Sequence, residues 1–166
     1  MKLFIATIAT VLVLAIFGTV IVKSITLKQN CTGYLKRAAD ANTVEMAKDQ
    51  LGKSISYLES NGITKGYTSV LWQTPNEDIE FWYNNLKTSY SELSNVKETT
   101  SSLERTNLLM KLRETLMDSG KNGDSITVPN GLSRYPNNGM YGIMRILATI
   151  IGLGLIVWGL LELDEK

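Results

Sequence analysis

The chain contains no histidine. Histidine is the commonest general base near neutral pH and the commonest metal ligand. Its absence removes the usual route to acid–base catalysis and to a metal site. A single cysteine, Cys31, excludes an intrachain disulfide and leaves no Cys/His set for zinc. A charge excess of one sign is also missing. Residues 23–139 carry fourteen Lys/Arg against thirteen Asp/Glu, with the signs interspersed. Nucleic-acid-binding domains show a clustered basic excess, so nucleic acid is not an expected partner. No fixed-period repeat and no low-complexity tract occurs.

What the chain does have is two long apolar stretches. Leu3 to Val22 is twenty residues without a charge, and Ile146 to Leu161 is sixteen more, extended by Met140 to Arg145. A helix of ~20 apolar residues crosses the hydrocarbon core of a bilayer. The expected fold is therefore an all-α membrane protein, with two transmembrane helices bracketing a small helical hairpin or bundle. Residues 1–22 form the first span, 23–139 the extramembrane domain, 140–161 the second span and 162–166 a short acidic tail, with both termini on one side. The first stretch exceeds the ~7–15 residues of a signal-peptide core. Its exit, Val20-Ile21-Val22-Lys23-Ser24, shows no Ala-x-Ala site, so it reads as an uncleaved signal anchor. A lipoprotein reading of Cys31 fails on Lys28, a charge where small apolar residues belong.

Between the spans, helices are expected over about 34–60, 75–95 and 102–119, in a coiled-coil-like bundle. Val44, Ala47, Leu51, Ile55 and Leu58 recur at three- and four-residue steps, one face of a helix. Asn42 and Glu45 have the spacing of a capping box, and Asn61-Gly62 supplies a stop. Thr74-Pro75-Asn76-Glu77 reads as the start of the next helix, with Thr74 as cap and proline at the first position. Ile79, Trp82, Leu86, Tyr90 and Leu93 make its buried stripe. Ser101 and Glu104 repeat the box before Leu109, Leu112 and Leu116, and Gly120 ends that helix. Tyr67 to Trp72 favours β structure but has no second strand to pair with. Residues 120–138 read as loop.

No motif in this chain carries catalytic chemistry. Ser119 to Asp124 lacks the Gly-Lys-Ser/Thr of a phosphate loop, and as a calcium loop from Asp118 it puts Pro129 where a glutamate is required. Glu77, Asp78 and Glu80 lie in a first helical turn, where the dipole accounts for them. Asn30-Cys31-Thr32 matches the glycosylation pattern but is too short to be informative. No catalytic residue, cofactor site or metal site is expected, and no enzyme activity.

Two clusters remain. Phe81, Trp82 and Tyr83 are successive helical residues about 100° apart, so one face cannot bury all three. Trp82 belongs to the core stripe. Trp72, Phe81, Trp82 and Tyr83 form the candidate partner contact. In the spans, Ala148, Gly152 and Gly159 form a small-residue face for close helix packing, and Thr7, Ala15, Gly18 and Thr19 a comparable stripe. Arg145 sits near the boundary, where a long side chain snorkels to the headgroups.

The layout of span, helical bundle and span resembles the sensor half of transmembrane chemoreceptors, although no motif carries the resemblance. The first expectation is a non-enzymatic membrane-anchored module: a scaffold, assembly factor or accessory subunit of a membrane complex. A transmembrane sensor or ligand-binding module signalling to a partner is the second, and a small pore-forming protein the third. The expected partners are membrane lipid and other membrane proteins, or a second copy. Lys23, Lys28, Lys36, Arg37, Arg134 and Arg145 lie on the domain side, against Lys2 and Lys166 on the other. The positive-inside rule thus favours a cytoplasmic domain over an extracytoplasmic one.

Overall fold

The computed structural model describes residues 2–69, 73–120, 123–132 and 139–164. Helix α1, Lys2–Leu27, runs through a π-helical turn, Lys28–Thr32, into α2, Gly33–Ala39. Then come α3 (Val44–Ser60), a 3-10 turn (Pro75–Glu77), α4 (Ile79–Ser94), α5 (Ser102–Leu116), the hairpin strands β1 (Met117–Gly120) and β2 (Gly123–Ile126), and α6 (Gly139–Asp164). The protein is mostly helical.

One helix among the described residues is long and apolar enough to cross a membrane, Phe4–Ala39; the apolar segment of α6, Arg145–Gly159, is shorter. In an apolar medium a helix must satisfy its own polar groups. The threonines of α1 do so: Thr10, Thr19 and Thr26 donate to the carbonyls of Ala6, Ile16 and Val22 at 2.7–2.9 Å.

The long helix does not stop at the end of its apolar stretch. The π turn inserts one extra residue into the helical ladder, and Gly33 permits it. A Cβ there would stand 2.8 Å from the Lys28 carbonyl oxygen. The glycine that weakens the helical pattern in the sequence is what lets the helix continue. From the end of α1, through the turn and along α2, Leu27, Cys31, Leu35, Ala38 and Ala39 enter the domain core.

That core is completed by Val44, Ala47, Leu51, Ile55 and Leu58 of α3, by Ile79, Trp82, Leu86 and Leu93 of α4, and by Leu112 and Leu116 of α5, with Ile63 and Leu132 from the connections. Burying one such side chain fully is worth ~1.5–3 kcal/mol. Tyr90 and Leu109, the remaining stripe positions, are half-buried. Asn61 caps the end of α3 and Gly62 follows at φ +68°.

Several boundaries differ from the sequence reading. The expected helix 34–60 is two helices, separated by residues 40–43, because Thr43 and not Asn42 caps α3: its side chain accepts from the Met46 N–H at 3.2 Å. The Thr74 signal organises only the 3-10 turn, in which the Glu77 carboxylate accepts from the Thr74 N–H at 3.2 Å and from its hydroxyl at 3.1 Å. Helix α4 itself starts at Ile79, capped by Asp78, which accepts from the Phe81 N–H at 3.0 Å. Helix α5 ends at Leu116 rather than near 119. Met117 to Gly120 turns extended and pairs antiparallel with residues of the expected loop, Met117 opposite Ile126 and Gly120 opposite Gly123. Tyr67 also finds a partner, an antiparallel bridge to Asp78.

Helices α1 and α6 pack along one another. Leu132, shortly before α6, borders the same hollow as Ser24 and Leu27, whereas Gly152 lies against Val13 and Ala9. The pair is therefore antiparallel. On α1 the buried or half-buried positions include Ala6, Ala9, Val13, Ile16, Val20, Lys23 and Leu27, with Ile5, Ser24 and Thr26 half-buried beside them. On α6 they include Gly142, Arg145, Thr149, Gly152, Ile156 and Gly159. Both series step alternately by three and four, the pattern of a left-handed coiled-coil seam.

Candidate functional site

The three successive aromatics of α4 are assigned to three different environments. Trp82 is buried, and its indole N–H donates to the Thr127 carbonyl at 2.9 Å, fastening α4 to the segment after β2. Tyr83 is half-buried, and its hydroxyl donates to the Glu59 carboxylate of α3 at 2.6 Å. Lys87 reaches the same carboxylate oxygen at 3.1 Å. Burial, with the adjacent Glu59 carboxylate next, pushes the Tyr83 hydroxyl up to about 12. The bonds from Tyr83 and Lys87 hold Glu59 below the usual carboxylate range. Tyr83 is thus a tie between α3 and α4.

Phe81 is the exposed member of the three, at 65%. It borders a hollow of about 360 Å³ whose rim includes Asn85, Thr115, Asp118 and Pro129. The fourth residue of the expected contact, Trp72, lies outside the described residues, as do Val70 and Leu71. Among the three described aromatics of the expected contact, Phe81 is the one that offers its ring to solvent.

The small-residue face of α6 divides as well. Gly152 and Gly159 are buried, but Ala148 is exposed and does not join them. The seam runs through Thr149 instead, because 145–149–152–156–159 keeps the three-four alternation that Ala148 breaks. A Cβ on Gly152 would overlap Val13 Cγ2 and stand 3.9 Å from the Ala9 carbonyl oxygen. The expected stripe on the first helix, Thr7, Ala15, Gly18 and Thr19, is exposed. The contact there is made by Ala6, Ala9 and Val13.

Cys31 sits in the π turn with no exposed surface. Burial pushes its thiol up to about 11, against the opposing effect of the Ser54 hydroxyl 3.2 Å away. A buried thiol of high pKa is a packing residue and not a nucleophile. Asn30 is half-buried in the same turn and donates to the Thr26 carbonyl at 3.0 Å. No group of three or more Asp, Glu or Cys side chains among the described residues is placed to hold a metal ion.

Two arginine clamps escape sequence reasoning. Arg113 of α5 bridges Asp40, after α2, and Asp124 of β2, both at 3.1 Å. Arg105 donates to the carbonyls of Lys97, Glu98 and Thr100 at 3.0–3.2 Å, closing the α4–α5 connection. The partners of Arg113 lie 73 and 11 residues away, and no local spacing signals such pairs.

Compared with known protein families, with characterised proteins and with solved structures, the chain matches none.

Proposed function

We propose that this chain is a non-enzymatic, membrane-anchored helical module that serves a larger membrane complex as a scaffold, assembly factor or accessory subunit. The observation that carries this reading is the continuity of α1 with α2. The apolar helix has no linker where it leaves its apolar stretch, and Leu27, Cys31 and Leu35 are part of the domain core. A domain mounted in this way is held at a fixed height and angle. That suits a part that positions something else.

In this reading α1 and α6 cross the bilayer as an antiparallel pair, and the domain lies in the cytoplasm, the side favoured by its basic flanks. An extracytoplasmic domain is the alternative orientation. Phe81 is the point of partner contact. Aromatic residues supply large contact area at low entropy cost and dominate interface hot spots.

Recovery of the full chain in mild detergent, with identification of what accompanies it, tests this. Phe81→Ala should cut partner recovery by the equivalent of ~1–3 kcal/mol and leave melting unchanged. Equal recovery by the two proteins would remove Phe81 from consideration, and the absence of any stable companion would count against an accessory subunit.

The same rigid junction also favours a second reading, a transmembrane sensor, since a displacement of α1 would be felt directly at Leu35 and Ala38. A ligand-dependent shift in melting without a stable protein companion would support the sensor.

A further inference from the structure

Asp78, Phe81 and Asn85 are spaced by three and four residues at and after the start of α4, so they share one helical face. All three line the hollow of about 360 Å³ beside Phe81, which Thr115, Asp118 and Pro129 border from the other side. Pockets that enclose a whole small molecule run to ~300–1,000 Å³. This one is at the small end, a scale that suits a single side chain entering from outside.

Its chemistry is one-sided. The ionised residues that line it are carboxylates, Asp78 and Asp118, and no Lys or Arg is among them. The two carboxylates are not equivalent. Asp78 is committed to the cap of α4, accepting from the Phe81 N–H. Asp118 is exposed, and its carboxylate has no hydrogen bond or ion pair among the described residues. Residues 73–86, which supply the α4 wall, hold three carboxylates and no basic residue, although the domain as a whole is nearly neutral.

The face of an aromatic ring attracts a cation. The exposed Phe81 ring and the unpaired Asp118 carboxylate therefore ask for the same kind of group. An apolar segment would cover the ring and strand the carboxylate, and an acidic segment would be repelled. Arginine satisfies both, because its planar guanidinium stacks on a ring and bonds a carboxylate through two N–H groups, whereas the compact ammonium of lysine supplies only the charge. Arginine and aromatics also dominate interface hot spots.

We propose that the hollow beside Phe81 is the socket for an arginine of a partner protein, with the guanidinium over the Phe81 ring and against the Asp118 carboxylate. The inference rests on the reading of Phe81 as the point of partner contact and names the chemistry of what docks there.

The probes are pentapeptides with blocked ends, two glycines on each side of a central arginine, citrulline, leucine or aspartate. Each is titrated into the full chain in detergent micelles, with carbon-13 in the rings of its three phenylalanines. Phe81→Leu identifies the Phe81 signal. That signal should move saturably with the arginine peptide. Citrulline, the same shape without the charge, should bind roughly threefold or more weakly, and Asp118→Asn should weaken the arginine peptide about threefold. Glu104→Gln, an exposed carboxylate about 16 Å along α5 from Thr115, should leave it unchanged. No movement with arginine, an equal response to citrulline, leucine or aspartate, or undiminished binding in Asp118→Asn would overturn the proposal. Movement with protein concentration alone would overturn it in favour of a second copy of this chain. Companion recovery in mild detergent separates the two readings. Loss of the companion in both Phe81→Ala and Asp118→Asn supports the socket. Loss in Phe81→Ala alone keeps the contact and overturns the arginine, whereas full recovery in both defeats the contact itself.

Discussion

Gly152 of α6 sits directly against Val13 of α1, with no room between them for a single methyl group. Gly18, a short distance along α1, faces open space, and a Cβ there meets nothing within 4 Å. The two glycines therefore make opposite forecasts. Gly152→Leu should force the helices apart and destabilise the pair by ~1–3 kcal/mol or more. Gly18→Ala should be neutral. Val13→Ala should relieve part of the damage of Gly152→Ala, since the β-branched side chain it removes is the one in the way. Cross-linking of a cysteine pair placed at Ala6 and Gly159 would report the separation. Equal yields in Gly152→Leu and wild type would mean that this face does not meet α1.

Helix capping gives a second forecast. Asp78→Ala should cost ~1 kcal/mol, because it removes the acceptor of the Phe81 N–H at the start of α4. Thr74→Ala should cost less, since Thr74 organises only the preceding turn. Thermal melts of the full chain in detergent would rank the two. A larger loss for Thr74→Ala would show that the two turns fold as one capped unit.

Leu112 is buried where α5 meets the core, and Leu112→Ala should cost ~2–5 kcal/mol. Leu103, 72% exposed on the same helix, should tolerate alanine with little change. Comparable losses at the two positions would put the wrong face of α5 in the core.

The Tyr83–Glu59 tie has a defined pH window. Tyr83 titrates above its ordinary value of 10.0, up to about 12. Its contribution is fully present below pH 10 and is lost as the pH rises toward 12. Glu59 is shifted down, so its contribution is present above its usual value and is lost as the pH falls through the lowered one. Melting temperature against pH should decline at both ends, and Tyr83→Phe should flatten part of the alkaline limb. An unaltered alkaline limb in Tyr83→Phe would assign that decline to another group, with Cys31 the next to test.

Cys31 should be inert in the folded protein. A buried thiol with a pKa of about 11 supplies almost no thiolate near pH 8. A disulfide reagent should react within its usual time only after denaturation. Prompt reaction in the native protein would mean that the π turn opens readily.

The apolar stripes of α3 and α4 were legible because burial at three- and four-residue steps is a local pattern. Every stripe residue of α3, and all of α4 except half-buried Tyr90, entered the core. The exact starts were less legible. Asn42 and Thr43 both suit a cap, as do Thr74 and Asp78, and tertiary packing decided between them. The β-hairpin was hidden because Met117 to Gly120 carries little strand propensity; its pairing depends on the residues opposite. The packing face of the first apolar helix was misread for a related reason. Small residues occur all around it, and only the position of α6 singles out Ala6 and Ala9. The stripe put Trp82 in the core, but which of Phe81 and Tyr83 is left open was not legible, since it depends on Glu59 capturing Tyr83.

The most direct test of the membrane arrangement is the accessibility of single cysteines to an impermeant reagent in intact cells, in a Cys31→Ser background. Cysteines would replace Lys2, Ser94 and Lys166 one at a time, with lysed cells as the reference. Two antiparallel spans predict that positions 2 and 166 behave alike and position 94 behaves oppositely. With the domain in the cytoplasm, position 94 is labelled only after lysis. If position 166 instead follows position 94, α6 does not cross, and the account of a two-span anchor is contradicted.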